Sequence, residues 1–318
     1  MRYRPAFAFA ALFVALLCGG SAFAAQQRSG GLLAPGRLLL GVYDPSDTQQ
    51  NVPSFGLEHV FVAWQAPGTG HLAEKIKAAR ASKRALMITV EPYTHASDWL
   101  GGADHLFSDI LAGRYDAEIG DICGQAKSAG LPVLIRWGHE MEDPDGRYPW
   151  ASPDAEGYKA AYRYFVSKCR RIVPGAKFVW SPKGGPRLAA YYPGAAYVDA
   201  VGVAIWGLER FEEDRMHRAR SFDEAIKARL GQVGRFGKPV IVAELGVFGS
   251  AAYRKSWYAD IFDPDALRRK FPQLRALVFF NAKEPYTWGP TYGQPDWRLD
   301  DDARSRLAKM RAASLNVK

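Results

Sequence analysis

Two textures alternate along the chain. Short β-branched or aromatic runs recur at Leu38–Asp44, His59–Gln65, Arg84–Pro92, Pro132–Glu140, Lys177–Lys183, Val198–Gly207, Lys238–Gly246 and Leu274–Lys283. Most are apolar nearly throughout, the pattern of strands buried on both faces. Amphipathic stretches separate them, clearest at Leu72–Ser82, Ala117–Ala129, Ala155–Ile172, Phe222–Phe236 and Asp302–Ala313, and these predict helices. Several carry start and stop signals: Ser152-Pro153-Asp154 before one, Gly130 after another, and a capping box of Ser221 and Glu224 before a third. Eight strands with helical crossovers in about 280 residues predict one (β/α)8 barrel of the α/β class. The competing fold, a doubly wound open sheet, lacks support because no strand runs into a Gly-rich phosphate-binding turn.

The first 24 residues follow a different logic. Arg2 and Arg4 precede an apolar run from Ala6 to Leu17, and Ala22-Phe23-Ala24 reads as a small-x-small cleavage site. This predicts a secretory signal peptide over 1–24, a linker over 25–37 and a barrel domain over 38–318. Cys18 lacks the small preceding residue of a lipid-attachment signal, and the apolar run is short of the roughly 20 residues that span a bilayer. An exported chain is expected, periplasmic or extracellular, monomeric and without stable membrane insertion.

The composition, 48% hydrophobic and 13% aromatic over 318 residues, excludes a disordered chain. Formal charge is +9, and removal of residues 1–24 takes two of the 42 basic residues and no acid, leaving +7. A basic surface suits an anionic polymer, yet Lys and Arg are scattered and no nucleic-acid module is present, so no nucleic-acid partner is expected. The two cysteines beyond the leader, Cys123 and Cys169, fit a disulfide or two buried thiols equally well. No metal-ligand spacing occurs, and no cofactor is expected.

In such barrels chemistry gathers at the C-terminal ends of the strands. Read there, the chain supplies Tyr43-Asp44, Trp64-Gln65, Glu91, Arg136 through Glu140, Trp180 through Lys183, Trp206, Glu244 and Asn281 through Glu284. Aromatic faces suit sugar rings and the polar groups suit hydroxyls. Glu140 and Glu244 close the fourth and seventh apolar runs with no turn chemistry in between. An acid there is costly unless paired or used. The bland reading is a rim salt bridge, with Arg136 or Lys183 as partner. The functional reading is a retaining glycosidase pair, which needs carboxyls about 5–5.5 Å apart.

At these residues the chain resembles a known family. Ile135-Arg136-Trp137-Gly138-His139-Glu140-Met141 followed by Arg147-Tyr148-Pro149-Trp150 is similar to the His-Glu-Met and Tyr-Pro-Trp signature of glycoside hydrolase family 26, whose typical members are β-mannanases. Thr89-Val90-Glu91-Pro92, Asp109 through Asp116, Val179-Trp180-Ser181-Pro182 and Val242-Ala243-Glu244-Leu245-Gly246 resemble further family segments in order, from about Leu38 to Arg298. The resemblance implies Glu140 as acid/base, Glu244 as nucleophile and His139 hydrogen-bonded near the reacting sugar, with retention and without a cofactor. Arg136, Glu91 and Lys183 join the candidate substrate-binding set. Trp150, Trp180, Trp206, Trp288 and Trp297 are candidate sugar platforms, two of which are expected to be packing residues. Three features depart from the pattern. Glu142-Asp143-Pro144-Asp145-Gly146 is a longer, more acidic insertion; Lys183 stands where an amide is common; and Ala204-Ile205-Trp206 replaces a segment with a tyrosine near the nucleophile. Lys183 then reads either as favouring an acidic or acylated polymer or as a rim residue pairing with Glu209 or Glu284.

Two functions follow. One is an exported endo-β-glycanase cleaving β-1,4-mannan or a related β-glucan by double displacement. The other is a non-catalytic barrel that binds polysaccharide in an exopolysaccharide system.

Overall fold

Parallel pairing runs in unbroken chain order from β1 (Leu39–Tyr43) through β2 (Phe55–Ala63), β3 (Ala85–Glu91), β4 (Val133–Trp137), β5 (Lys177–Trp180), β6 (Ala200–Leu208), β7 (Val240–Phe248) and β8 (Leu274–Phe280). The last strand pairs with the first, closing a barrel in a computed structural model that describes residues 31–65, 70–143 and 145–310. Closure and strand order are those of a (β/α)8 barrel rather than an open sheet. The proposed signal peptide lies outside the described residues.

The helices are α1 (Gly70–Ala81), α2 (Leu106–Leu111), α3 (Asp116–Ser128), α4 (Ala155–Ile172), α5 (Glu209–Met216), α6 (Phe222–Val233), α7 (Ala251–Ile261), α8 (Pro264–Lys270) and α9 (Asp301–Lys309). Helix α4 matches its predicted span because its punctuation is real: the Asp154 side chain accepts from Gly157 N at 2.8 Å. Ser221 and Glu224 form the reciprocal capping box before α6. The cysteines are bonded, Cys123 on α3 to Cys169 on α4.

Side chains alternate between two layers. Leu39, Leu57, Ala85, Met87, Leu134, Val179, Ala200, Ile241, Ala276 and Val278 fill the barrel's interior, while Val133, Ile135, Val240 and Val242 face the helices. Leu32 packs into the interior cluster with Leu33 against it, and the Leu33 carbonyl accepts from Arg275 Nε at 3.0 Å. The end of the predicted linker is therefore part of the folded body, because two leucines find an apolar surface to cover. Strand β2 also starts earlier than predicted, at Phe55.

Candidate active site

Above the apolar interior the inward positions turn polar. Thr89 follows Met87 on β3, Arg136 follows Leu134 on β4, and His59 follows Leu57 on β2. His59 Nε2 lies 2.7 Å from Thr89 Oγ1, and Arg136 Nη1 reaches the same hydroxyl at 3.4 Å. Arg136 is fully buried, and such a charge needs a counter-charge. It finds one in Glu244: Nη2 lies 2.7 Å from Oε1, an ion pair without the alignment of a hydrogen bond.

Glu244 reaches that position through a slip in register. Val242 pairs with Val203, but Ala204 pairs with Glu244, so Ala243 is an extra residue in β7. In a strand of regular alternation, inward Ile241 and Ala243 would put Glu244 among the helices. The bulge gives two consecutive inward residues, after which Leu245 and Val247 face outward. Glu244 does not close its strand, as its sequence position suggested; β7 continues to Phe248. Gly246 then lies flush against Trp206, where a Cβ would sit 2.6 Å from the indole ring.

Glu140 arrives by a tight turn. Strand β4 ends at Trp137, and both Gly138 (φ 54°) and Glu140 (φ 53°) are left-handed, so turn chemistry separates this acid from its strand, contrary to the plain run expected. Three hydrogen bonds hold the turn. Trp150 Nε1 donates to the His139 carbonyl at 2.6 Å, Tyr158 hydroxyl to the Gly138 carbonyl at 3.1 Å, and Glu140 N to the Ser181 carbonyl at 2.8 Å.

Both glutamates line one cavity of about 370 Å³ at the C-terminal mouth, with Glu91, His139, Arg147, Tyr148, Lys183, Trp206, Arg229, Glu284, Tyr286 and Trp288. Burial, then the charge of Glu244, pushes Glu140 up to about 7, and the same two causes push Glu91 up to about 7. Burial and the neighbouring Arg136 cation hold His59 and His139 well below the usual imidazole range, so both rings are neutral near pH 7. The Tyr43 phenol, also in the cavity wall, is pushed up to about 12 by burial and by Glu91 and Glu244, which keeps its hydroxyl proton available to donate. The arrangement can present a shielded carboxylate and a proton-bearing carboxyl to one bound molecule.

The sequence-selected residues divide. Glu91, His139, Lys183, Trp206 and Trp288 line the cavity with the two glutamates, and Arg136 lies behind Glu244. Three tryptophans do not offer a platform. Trp150 is fully buried, stacked on Tyr148 at 4.5 Å, and supports the His139 turn. Trp180 is fully buried among Tyr192 and Phe236, because β5 turns that position toward the helices. Trp297 packs behind Trp206 at 4.9 Å and donates to Glu284 Oε2 at 3.0 Å. Lys183 pairs with Asp143 at 2.7 Å and approaches Asp145 at 3.8 Å, both in the acidic insertion, instead of Glu209 or Glu284. Glu142 in the same insertion accepts from Gly184 N at 2.7 Å and Gly185 N at 3.1 Å, tying it to the loop after β5.

Several wall residues went unselected by sequence reasoning. Tyr43 was read off as a strand-end residue but given no role, and Phe61, an inward member of β2, was passed over although the alternation marks it. Arg147, Tyr286 and Arg229 come from loops and from α6, where strand-end logic does not look. Among the described residues no group of three or more His, Cys, Asp or Glu could hold a metal ion.

Comparison with known proteins places this geometry. The model of glycosyl hydrolase family 26 matches residues 94–284. Among curated relatives, a β-1,3-xylanase of a Vibrio species is 24% identical over 118 residues, covering 35% of this chain and 25% of that protein. A mannan endo-1,4-β-mannosidase of Bifidobacterium adolescentis is 23% identical over 226 residues, covering 62% and 22%. The chain thus spans about a quarter of the length of these relatives. Among solved structures, a family 26 β-mannanase from Bacteroides ovatus superposes with a TM-score of 0.56 at 16% identity, covering 90% of this chain and 89% of that one. A modular endo-β-1,4-mannanase from Cellulomonas fimi gives 0.58 at 18% identity, covering 86% and 70%. At these identities the superpositions establish the shared barrel.

Proposed function

Since the chain belongs to glycosyl hydrolase family 26, we propose that it is an exported retaining endo-β-glycanase acting on β-1,4-mannan or a related β-glucan. Glu244 attacks the anomeric carbon while Glu140 protonates the departing oxygen. Glu140, now ionised, takes a proton from water, which releases the sugar from Glu244. The observation that carries this reading is the unequal setting of two carboxyls in one cavity. Glu244 lies against the Arg136 guanidinium, while burial and the Glu244 charge raise Glu140 to about 7, so it holds a proton near neutral pH. Trp206 and Trp288 offer aromatic faces to sugar rings. Export is supported by the leader-like residues 1–24 and by the Cys123–Cys169 bond, which suits an oxidising compartment.

The test is a panel of mannan, β-glucan and xylan read by reducing-end release, with Glu244→Ala as control and the anomer of the first product followed by NMR. Release that needs Glu244 and gives the β-anomer supports the reading. Glycan binding without new reducing ends on any polymer would instead identify a polysaccharide-binding accessory barrel.

A further inference from the structure

Four cations line or underlie the cavity, and their partners differ. Arg136 is paired with Glu244, and Lys183 with Asp143. Lys183 is thereby neutralised and is a poor reader of acidic substrates. Arg147 and Arg229 are different: among the described residues neither has a carboxylate within ion-pair distance, although both line the cavity.

Arg147 is held by rings rather than by acids. Its guanidinium lies 4.3 Å from the centroid of Tyr286 and 5.1 Å from that of Tyr148. These contacts orient a cation without neutralising it. Glu284, whose oxygens accept from Trp297 Nε1 and Tyr286 N, lies outside ion-pair distance and acts on Arg147 only through space, as does Glu140. Arg229 is fixed by carbonyls: Nε donates to Ala204 O at 3.1 Å, and Nη1 to Lys183 O at 2.8 Å and Gln232 Oε1 at 3.2 Å. Its position is set, and among the described residues no carboxylate touches it, although the charges of Glu140 and Glu142 act on it from further off. Keeping two guanidinium groups without a contacting carboxylate on a partly desolvated wall is costly for a protein that binds only neutral sugars.

Both cations also act electrostatically on Glu140, the residue assigned to the leaving group. A sugar departing from Glu140 therefore lies in their field. We propose that the substrate is a β-glycan bearing a carboxylate, a uronic acid, on the leaving-group side of the cut, bound by Arg147 and Arg229. This inference rests on the glycosidase reading and names its substrate class. The Arg147 fork matches a carboxylate in two parallel hydrogen bonds, Arg229 keeps Nη2 for a further one, and the basic balance of the chain, +7 without residues 1–24, favours approach of a polyanion.

The experiment compares one set of uronate-containing β-linked oligosaccharides with the same set after chemical reduction of its carboxyl groups to neutral sugars. Reducing-end release by the intact chain is read as the ratio of kcat/KM for the two forms. The expected ratio is about tenfold or more in favour of the acidic form at low salt. It should shrink several-fold between about 20 mM and about 500 mM NaCl as screening sets in. In Arg147→Gln and Arg229→Gln it should fall towards unity. Equal cleavage of both forms, or preference for the reduced one, overturns the proposal while leaving the glycosidase reading intact. If neither form is cleaved, that reading fails, and calorimetric binding of the two forms still decides: tighter binding of the acidic form supports the anion site and equal binding removes it.

Discussion

Arg136 Nη2 stands 2.7 Å from Glu244 Oε1, and no part of the arginine side chain reaches solvent. The pair is the electrostatic centre of the barrel mouth. Removing one member leaves a buried charge alone, which costs about 3–5 kcal/mol. Arg136→Met is therefore expected to lower stability by that amount in urea denaturation and to depress turnover by at least about a hundredfold. Adding Glu244→Gln should restore much of the stability and none of the activity. Stability of Arg136→Met within about 0.5 kcal/mol of the parent would mean that the contact is energetically idle.

Glu140 and Glu91 are each raised to about 7, so both ionise less readily in the fold than in the open chain. The folded state then binds more protons than the unfolded state between about pH 4.5 and pH 7, and stability falls as pH rises through that window. Glu140→Gln and Glu91→Gln should match the parent near pH 4 and exceed it above pH 7, each by at most about 3 kcal/mol. The two gains should not add, since both groups respond to Glu244. Chemical denaturation at pH 4, 6 and 8 checks the sign; variants weaker than the parent at pH 8 would refute it. The same raised group predicts an alkaline limb near pH 7 in kcat/KM.

Glu140 also carries backbone strain, at φ 53°. Glu140→Ala and Glu140→Gly both remove the carboxyl, so their difference isolates the left-handed conformation. The glycine variant should be the more stable by about 1 kcal/mol, with both inactive. Equal melting temperatures would place the strain elsewhere.

The bond between Cys123 and Cys169 closes a 46-residue separation across α3 and α4. Reduction, or Cys123→Ala with Cys169→Ala, should cost about 4 kcal/mol on the loop-entropy model. A melting temperature indifferent to dithiothreitol would contradict this.

Much of the architecture was legible because buried parallel strands read as apolar runs whatever their neighbours do. The helix starts at Asp154 and Ser221 were legible for a similar reason: a cap is a local hydrogen bond between residues three apart. The wall of the cavity was less so. Glu244 was picked out as an acid after an apolar run, but the bulge that lets Ala243 and Glu244 both face inward leaves no local mark. Trp180 and Trp206 look alike in sequence, and only the phase of each strand sends one toward the helices and the other into the mouth. Arg147 and Tyr286 meet across 139 positions of chain, a proximity that only the closed barrel creates.

Ala243 has a further consequence. A lineage that lost this one alanine would straighten the stave and still aim Glu244 at the opening, because Val242 already lies beside Val203 and Glu244 beside Ala204. The chemistry is thus insulated from a one-residue loss at the very place where the strand is irregular.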